Sequence, residues 1–408
     1  MKYLVLGLAR SGQAAALALR RRGEEVIGVD ASPNLDVGRL AESGVEVHLG
    51  TEEERLLDGV ETLVKSPGVP GEAPLVQAAH ARGIPVWSEV ELGSRLLDNP
   101  IVGVTGTNGK TTTSELLGAM LGAPVAGNVG RALCELDGQV EPGQVVVCEV
   151  SSFQLEDIHE FEPHVAVLLN LEPDHLDRHG TFEAYADAKL RIFENQGEDD
   201  VAVVPRRFEA IPGKARRIEF APTDELPAEP LIPGAHNREN SAAASAAARA
   251  LGVDDARIAE ALETFPGVAH RLEPVADAYG VLFVNDSKAT NTAAARRAVA
   301  AYDQPLHVIL GGRGKGESYT ELALDLAGRA RRAYLIGEAA RDMDVALELA
   351  GVDHELSGDL ETAVRAAAKN ARPGEVVLLA PACASYDQFH DFEERGEAFK
   401  RLVAEVAG

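Results

Sequence analysis

Residues 105–113 read Thr-Gly-Thr-Asn-Gly-Lys-Thr-Thr-Thr and directly follow the apolar run at 101–104. Two glycines let a backbone curl until its amides point inward at phosphate oxygens, and a lysine at a helix N-terminus adds positive potential. The segment predicts a strand, a phosphate loop and a helix, with Gly106, Thr107, Asn108, Gly109, Lys110, Thr111 and Thr112 around a nucleoside triphosphate. Lys110 is expected at the β and γ phosphates, with Thr111 or Thr112 on a magnesium ion. Val104 occupies the place of the first glycine of a strict Walker loop, so the spacing is a variant. A chance glycine turn is the plain alternative, and the strand-loop-helix context disfavours it.

A phosphate loop says only nucleotide, so the metal needs further ligands. Glu149 ends the apolar run VVVCEV, at the carboxyl end of a strand where an open α/β sheet places its ligands. Asp174-His175 follows a second such run, VAVLLN, and can reach the same edge. Magnesium prefers oxygen donors, which makes His175 the less usual ligand. Lys189 sits in YADAKLRIF, on a helix face from which a lysine ordinarily reaches out to water. Near the N-terminus, GLARSG resembles a dinucleotide fingerprint with Ala9 in place of the central glycine, and Asp30 falls where a ribose-binding acid is expected. Read alone, that turn leaves a dehydrogenase, a nucleotide diphosphate site and an ordinary strand-helix turn all open.

The elements that must position these groups follow an α/β rhythm. Short Val/Ile/Leu runs alternate with helical patterns, as in mainly parallel sheets covered by helices on both faces. Three blocks are expected: 1–97, opening with KYLVLGL and EVIGVD; 98–267, opening after the linker Asp98-Asn99-Pro100; and 268–408, with runs VLFVND, LHVILGG, RAYLIG and EVVLLAP. Residues 205–234, rich in Pro, Gly and charge, predict irregular or short-strand structure, and the alanine-rich 241–251 a packed helix.

Charge narrows the partners. With 39 Lys+Arg against 65 Asp+Glu the chain carries −26, a field that repels nucleic acid and anionic membranes. Cys134, Cys148 and Cys383 lie far apart, two of them in apolar runs, which suits reduced core thiols and a cytoplasmic setting. No apolar run approaches the ~20 residues of a membrane span.

The ordered series GLARSG, SPGV, TGTNGKTTT, GNVG, EVSSFQLE, LNLEPDHLDRH, AKLRIF, GAHNREN, GVAHR, NDSKATN, GGRGKG and PACASYDQF resembles the Mur ligase family over essentially the whole chain. The resemblance implies three domains: a Rossmann-like UDP-binding domain, a central ATPase domain and a Rossmann-like C-terminal domain. The implied activity is ATP-dependent ligation of D-glutamate to UDP-N-acetylmuramoyl-L-alanine through an acyl phosphate, by a cytoplasmic monomer that uses two magnesium ions. It turns the N-terminal fingerprint from a dinucleotide toward UDP, with Arg10, Ser11, Asp30, Ala31 and Gly68 around uracil, ribose and diphosphate. Asn128 and Ser151 are implied near the muramoyl-alanine, and Glu149 and His175 become metal ligands beside Lys110 and Thr111. Lys189 matches a lysine that the family carbamylates, an anionic oxygen donor for magnesium.

Asn237 and Asn240 match adenine contacts, while Arg271 and Asp286 match groups that reach the nucleotide. Lys288, Thr290, Lys315, Ser385 and Phe392 are implied at the incoming amino acid. The chain departs from the family at Ala31 and Ser32, where some relatives carry larger polar groups, and at Arg313, where an acid is frequent. A ligase for another amino acid and a nucleotide-gated binding module are the rivals. The segments SPGV, SSFQLE and PACASYDQF argue against the first, and intact Lys110, Thr111 and Glu149 against the second.

Overall fold

The computed structural model describes residues 1–206, 208, 210–314 and 316–407. They form two compact units, Met1–Leu231 with Ala235–Phe265 and Ile232–Gly234 with Pro266–Gly408. The fold is α/β, as expected, and is built on three sheets.

The first unit holds two of them. Strands β1 (Lys2–Leu6), β2 (Glu25–Asp30), β3 (Glu46–Leu49), β4 (Thr62–Lys65) and β5 (Val86–Ser88) form a parallel sheet in the order β3-β2-β1-β4-β5. Leu4, Val5 and Leu6 are wholly buried because helices cover both faces, which explains the unbroken apolar run. β1 lies between β2 and β4, so the turns leaving β1 and β4 open a crevice at the carboxyl edge. Helix Arg10–Arg21 packs tightly there: a Cβ at Gly12 would stand 1.8 Å from the Gly7 carbonyl oxygen, so only glycine fits.

β6 (Ile101–Thr105), β7 (Val125–Gly127), β8 (Val146–Glu149), β9 (Val165–Leu168), β10 (Val201–Pro205) and β11 (Arg216–Phe220) form the second parallel sheet, ordered β11-β10-β9-β6-β8-β7. Its centre matches the apolar runs, and β11 is a short strand within the 205–234 stretch. Helix Ala235–Ala250 buries Ala243, Ala244, Ala247 and Ala248 against this core, the close packing that small side chains permit.

The second unit carries β12 (Glu273–Ala278), β13 (Val281–Asn285), β14 (Leu306–Gly311), β15 (Ala330–Ile336), β16 (His354–Gly358) and β17 (Val376–Leu379). Their order is β12-β13-β17-β14-β15-β16, with β12 antiparallel at one edge. Helix Phe392–Ala407 closes that unit through buried Arg395, Phe399 and Val403. Among the described residues no helix is long and apolar enough to cross a membrane.

Candidate active site

The phosphate loop leaves β6 at the middle of its sheet, and neighbouring strands fix its shape. Asn170, just beyond β9, accepts from the Asn108 amide at 2.8 Å and returns its own side-chain N–H to the Asn108 carbonyl at 3.2 Å. Gly109 holds the left-handed φ of +85° that starts helix Lys110–Leu121. A Cβ there would stand 2.2 Å from Asn240 Oδ1, so the carboxamide of helix Ala235–Ala250 fills the space beside the loop. Lys110 Nζ folds back over the turn and donates to the carbonyls of Gly106 (2.9 Å) and Thr107 (3.1 Å). Thr111 and Thr112 are buried in the first helical turn.

Beside the loop, parallel register pairs Val104 with Glu149 and so brings the end of β8 alongside the start of the turn. Glu149 is buried, and its Oε1 accepts from Asn128 Nδ2 at 2.9 Å. Ser151 caps helix Ser152–Leu155 by accepting from the Gln154 amide.

Lys189 does not reach out to water, contrary to the ordinary reading of its helix. It is 2% exposed, and its Nζ donates to the Gly106 carbonyl at 2.8 Å. Its Nζ lies 4.9 Å from the centre of the Tyr185 ring, whose hydroxyl donates to Thr107 Oγ1 at 2.9 Å. The reason is tertiary: helix Phe182–Leu190 packs beside the loop, and the carbonyl there replaces solvent as partner. Burial, reinforced by the nearby Lys110 cation, lowers the Lys189 pKa to about 6 against the opposing pull of Asp174 and Glu149.

His175 occupies a left-handed φ of 51°, with its side chain about half exposed and its ring centre 4.9 Å from that of Phe153, the two planes tilted by 61°. Among the described residues no three His, Cys, Asp or Glu side chains gather as a ready metal cage. A magnesium site needs no such cage, because hydroxyls, waters and phosphate oxygens supply most of its six positions.

In the first sheet, both carboxylate oxygens of Asp30 serve its turn, accepting from the amides of Leu8 (2.6 Å) and Ser32 (2.8 Å). Arg10 Nη1 donates to the Gly130 carbonyl at 3.0 Å, linking the first turn to the GNVG loop that carries Asn128. Ser11 is the second residue of helix Arg10–Arg21, and Ala31 and Gly68 lie in the turns after β2 and β4. Asn237 and Asn240 are both buried in the first turns of helix Ala235–Ala250.

The second unit gathers its own group. Asp286 is 6% exposed, and burial raises its carboxyl pKa to about 6 although Arg271 and the Leu272 amide oppose the shift. Lys288 Nζ lies 5.9 Å from the Phe392 ring centre, and the Lys288 carbonyl accepts from the Thr290 amide at 2.8 Å. Ser385 is buried just beyond Ala384, whose backbone pairs with Arg313. Lys315 lies outside the described residues.

Sequence reasoning missed Asn170, Tyr185 and His179. Tyr185 stands four residues before Lys189, the spacing of one helix face, which was a usable signal. Asn170 shows only as a strand-end amide.

Three α/β sheets, the second with a phosphate loop at its centre, define a multidomain nucleotide-handling α/β protein. The chain matches the Mur ligase MurD-like N-terminal domain over residues 1–88, the Mur ligase middle domain over 104–219 and the Mur ligase glutamate ligase domain over 270–383. It is 43% identical to the UDP-N-acetylmuramoylalanine--D-glutamate ligase of Anaeromyxobacter dehalogenans, an alignment covering 100% of this chain and 98% of that one. Identity to the ligase of the same name from Acidobacterium capsulatum is 41%, covering 98% and 96% of the two chains. The MurC structure from Thermotoga maritima shares the fold with a TM-score of 0.61 at 19% identity, covering 99% of each chain. A MurF structure from Acinetobacter baumannii gives 0.61 at 18% identity, covering 99% of this chain and 93% of that one. The chain belongs to the Mur ligase family.

Proposed function

We propose that this chain joins D-glutamate to UDP-N-acetylmuramoyl-L-alanine, converting ATP to ADP and phosphate, in the cytoplasmic synthesis of peptidoglycan precursors. The observation that carries the ligase chemistry is the meeting of the phosphate loop, buried Glu149 and buried Lys189 at one sheet edge. Near-full-length identity to D-glutamate ligases supplies the substrates.

In this reading residues 1–97 take the UDP end through Arg10, Ser11, Asp30, Ala31 and Gly68. Residues 98–267 take ATP on Gly106 to Thr112, with Asn237 and Asn240 toward adenine and Asn128 and Ser151 toward the muramoyl-alanine. Residues 268–408 take D-glutamate through Lys288, Thr290, Lys315, Ser385 and Phe392, while Arg271 and Asp286 face the nucleotide. Thr111, Glu149, His175 and a carbamate on Lys189 would hold two magnesium ions, which neutralise phosphate charge when bound. The fit is chemical: Glu149 offers a buried carboxylate, and a lysine pKa near 6 leaves the amine neutral and able to take up carbon dioxide.

A free carboxylate has no leaving group. The alanyl carboxylate attacks the γ-phosphorus in line and the bond to the ADP oxygen breaks, while Lys110 and the loop amides stabilise the equatorial oxygens. The neutral amine of glutamate then attacks the acyl carbon, the C–O bond breaks, phosphate departs with its electron pair, and the surplus proton on the new amide nitrogen goes to the departing phosphate. Incubation with ATP, the UDP-linked acceptor and a panel of amino acids, followed by product mass and phosphate release, tests the reading. Phosphate release without an added amino acid favours a nucleotide switch, and product with a different amino acid favours another ligase.

A further inference from the structure

Lys65, the last residue of β4, has a side chain only 1% exposed. Its ammonium lies 2.8 Å from Asp157 Oδ2 and donates to the Val69 carbonyl at 3.3 Å. A buried ammonium is costly unless it is paired and hydrogen-bonded, and here it ties the Ser66–Val69 turn of the first sheet to the end of the helix after β8. The tie continues through His179, whose side chain is 3% exposed. His179 Nδ1 lies 3.2 Å from Glu156 Oε1 and its Nε2 lies 3.0 Å from Ser152 Oγ, so the imidazole spans both ends of helix Ser152–Leu155. Phe153 stacks on His179 with ring centres 5.3 Å apart and planes 5° apart, and Tyr185 meets His179 edge-on with ring centres 5.3 Å apart. Tyr185 in turn donates to Thr107 of the phosphate loop. The Arg178 guanidinium lies over the Phe153 ring, 4.4 Å from its centre, and donates to the same Val69 carbonyl at 3.3 Å.

We infer that Lys65 and His179 are positioning residues that set the distance between the turn after β4 and the phosphate loop, and so measure the span of the UDP-linked acceptor. The inference rests on the proposed function, in which the acceptor's diphosphate meets that turn and its carboxylate meets the loop. Each end has its own polar anchor, and the path between them is continuous through packed side chains. A ligand that bridges both ends binds well only while the two ends keep their spacing, whereas ATP and the amino acid do not depend on it. The expected signature is a higher acceptor KM with kcat little changed, the mark of lost uniform binding.

Two variants test this. Lys65→Met with Asp157→Leu removes both charges together, avoiding the unpaired carboxylate that a single change would bury. His179→Phe keeps the ring stack and removes both hydrogen bonds. In steady-state assays the acceptor KM is expected to rise about tenfold in each, with the KM for ATP within about twofold of the parent and melting temperatures near the parent's. An unchanged acceptor KM in a folded variant overturns the inference, as does an equal rise in every KM. Should the double variant not fold, His179→Phe decides alone. Failure of the unaltered chain to turn over the acceptor overturns the ligase reading and this inference with it; normal parent turnover with an unshifted variant KM overturns the inference only.

Discussion

Lys189 and Gly106 meet at 2.8 Å, the amine donating to the carbonyl at the mouth of the phosphate loop. A neutral amine serves as donor there as well as an ammonium does, and burial favours the neutral form. Lys189→Ala is therefore expected to be nearly inactive and to recover partly in formate or acetate, which restore a small anion at the vacated position. Full activity of the alanine variant in carbon-dioxide-free buffer, measured as phosphate release, would end the carbamate proposal.

Lys110→Ala should fold normally and lose turnover by more than ~10²-fold, because its ammonium acts on charge that develops at the transferred phosphoryl group. Turnover within about tenfold of the parent, roughly 1.4 kcal/mol, would contradict the assignment of the loop.

Gly109→Ala carries two penalties. The left-handed φ of +85° costs an alanine about 1 kcal/mol, and the new methyl meets Asn240 Oδ1. A lower melting temperature together with a higher KM for ATP is expected. A change in melting temperature alone would show that the loop adapts around the methyl group.

Glu89 opens helix Glu89–Leu96 and is buried against Cys134, whose amide donates to its Oε1 at 2.7 Å. Among the described residues its Oε2 has no hydrogen-bond partner, and burial raises the carboxyl pKa from the usual 4.5 to about 7. Between those values the folded chain keeps a proton that the unfolded chain has released. The group's contribution to stability is thus complete below pH 4.5 and is lost as pH rises through 7. Glu89→Gln should remove this dependence and stabilise the chain at pH 8 by up to about 3 kcal/mol. Denaturant melts at pH 5 and pH 8 check it, and an equal effect at both would refute the titration.

Substrate choice should turn on the amino acid. A site built to pair two carboxylates rejects an analogue that leaves a buried cation unpaired. D-glutamate is expected to be preferred strongly over L-glutamate, D-glutamine and meso-diaminopimelate, with Lys315→Ala raising the KM for D-glutamate far more than that for ATP. Equal turnover of L-glutamate would overturn the assignment and leave the ligase chemistry standing.

The central strands were legible because burial on both faces writes itself as unbroken apolar runs, as in β1, β6 and β17. Edge strands were not: β7 has three residues, and β12 is half-exposed and opens Glu273-Pro274. The strand-loop-helix turn at 105–113 was legible because Gly106 and Gly109 take positive φ angles that glycine alone adopts freely. Lys189 read as a surface lysine when taken alone, since its burial comes from a loop 83 residues earlier that no local pattern encodes. Tyr185 and His179 stayed hidden for the same reason, as their partners Thr107 and Glu156 lie on other elements.

The three thiols sit where oxidants do not reach. Cys134, Cys148 and Cys383 are free and buried, and burial raises the pKa of each above its ordinary value. The thiolate is the form that reacts with peroxides and disulfides, so each sulfur is protected by both exclusion and protonation. An alkylating reagent can modify Cys148 only after β8 has opened, whereas Cys383 belongs to the other compact unit. The rate of thiol labelling thereby becomes a clock for local opening, with separate hands for the two units.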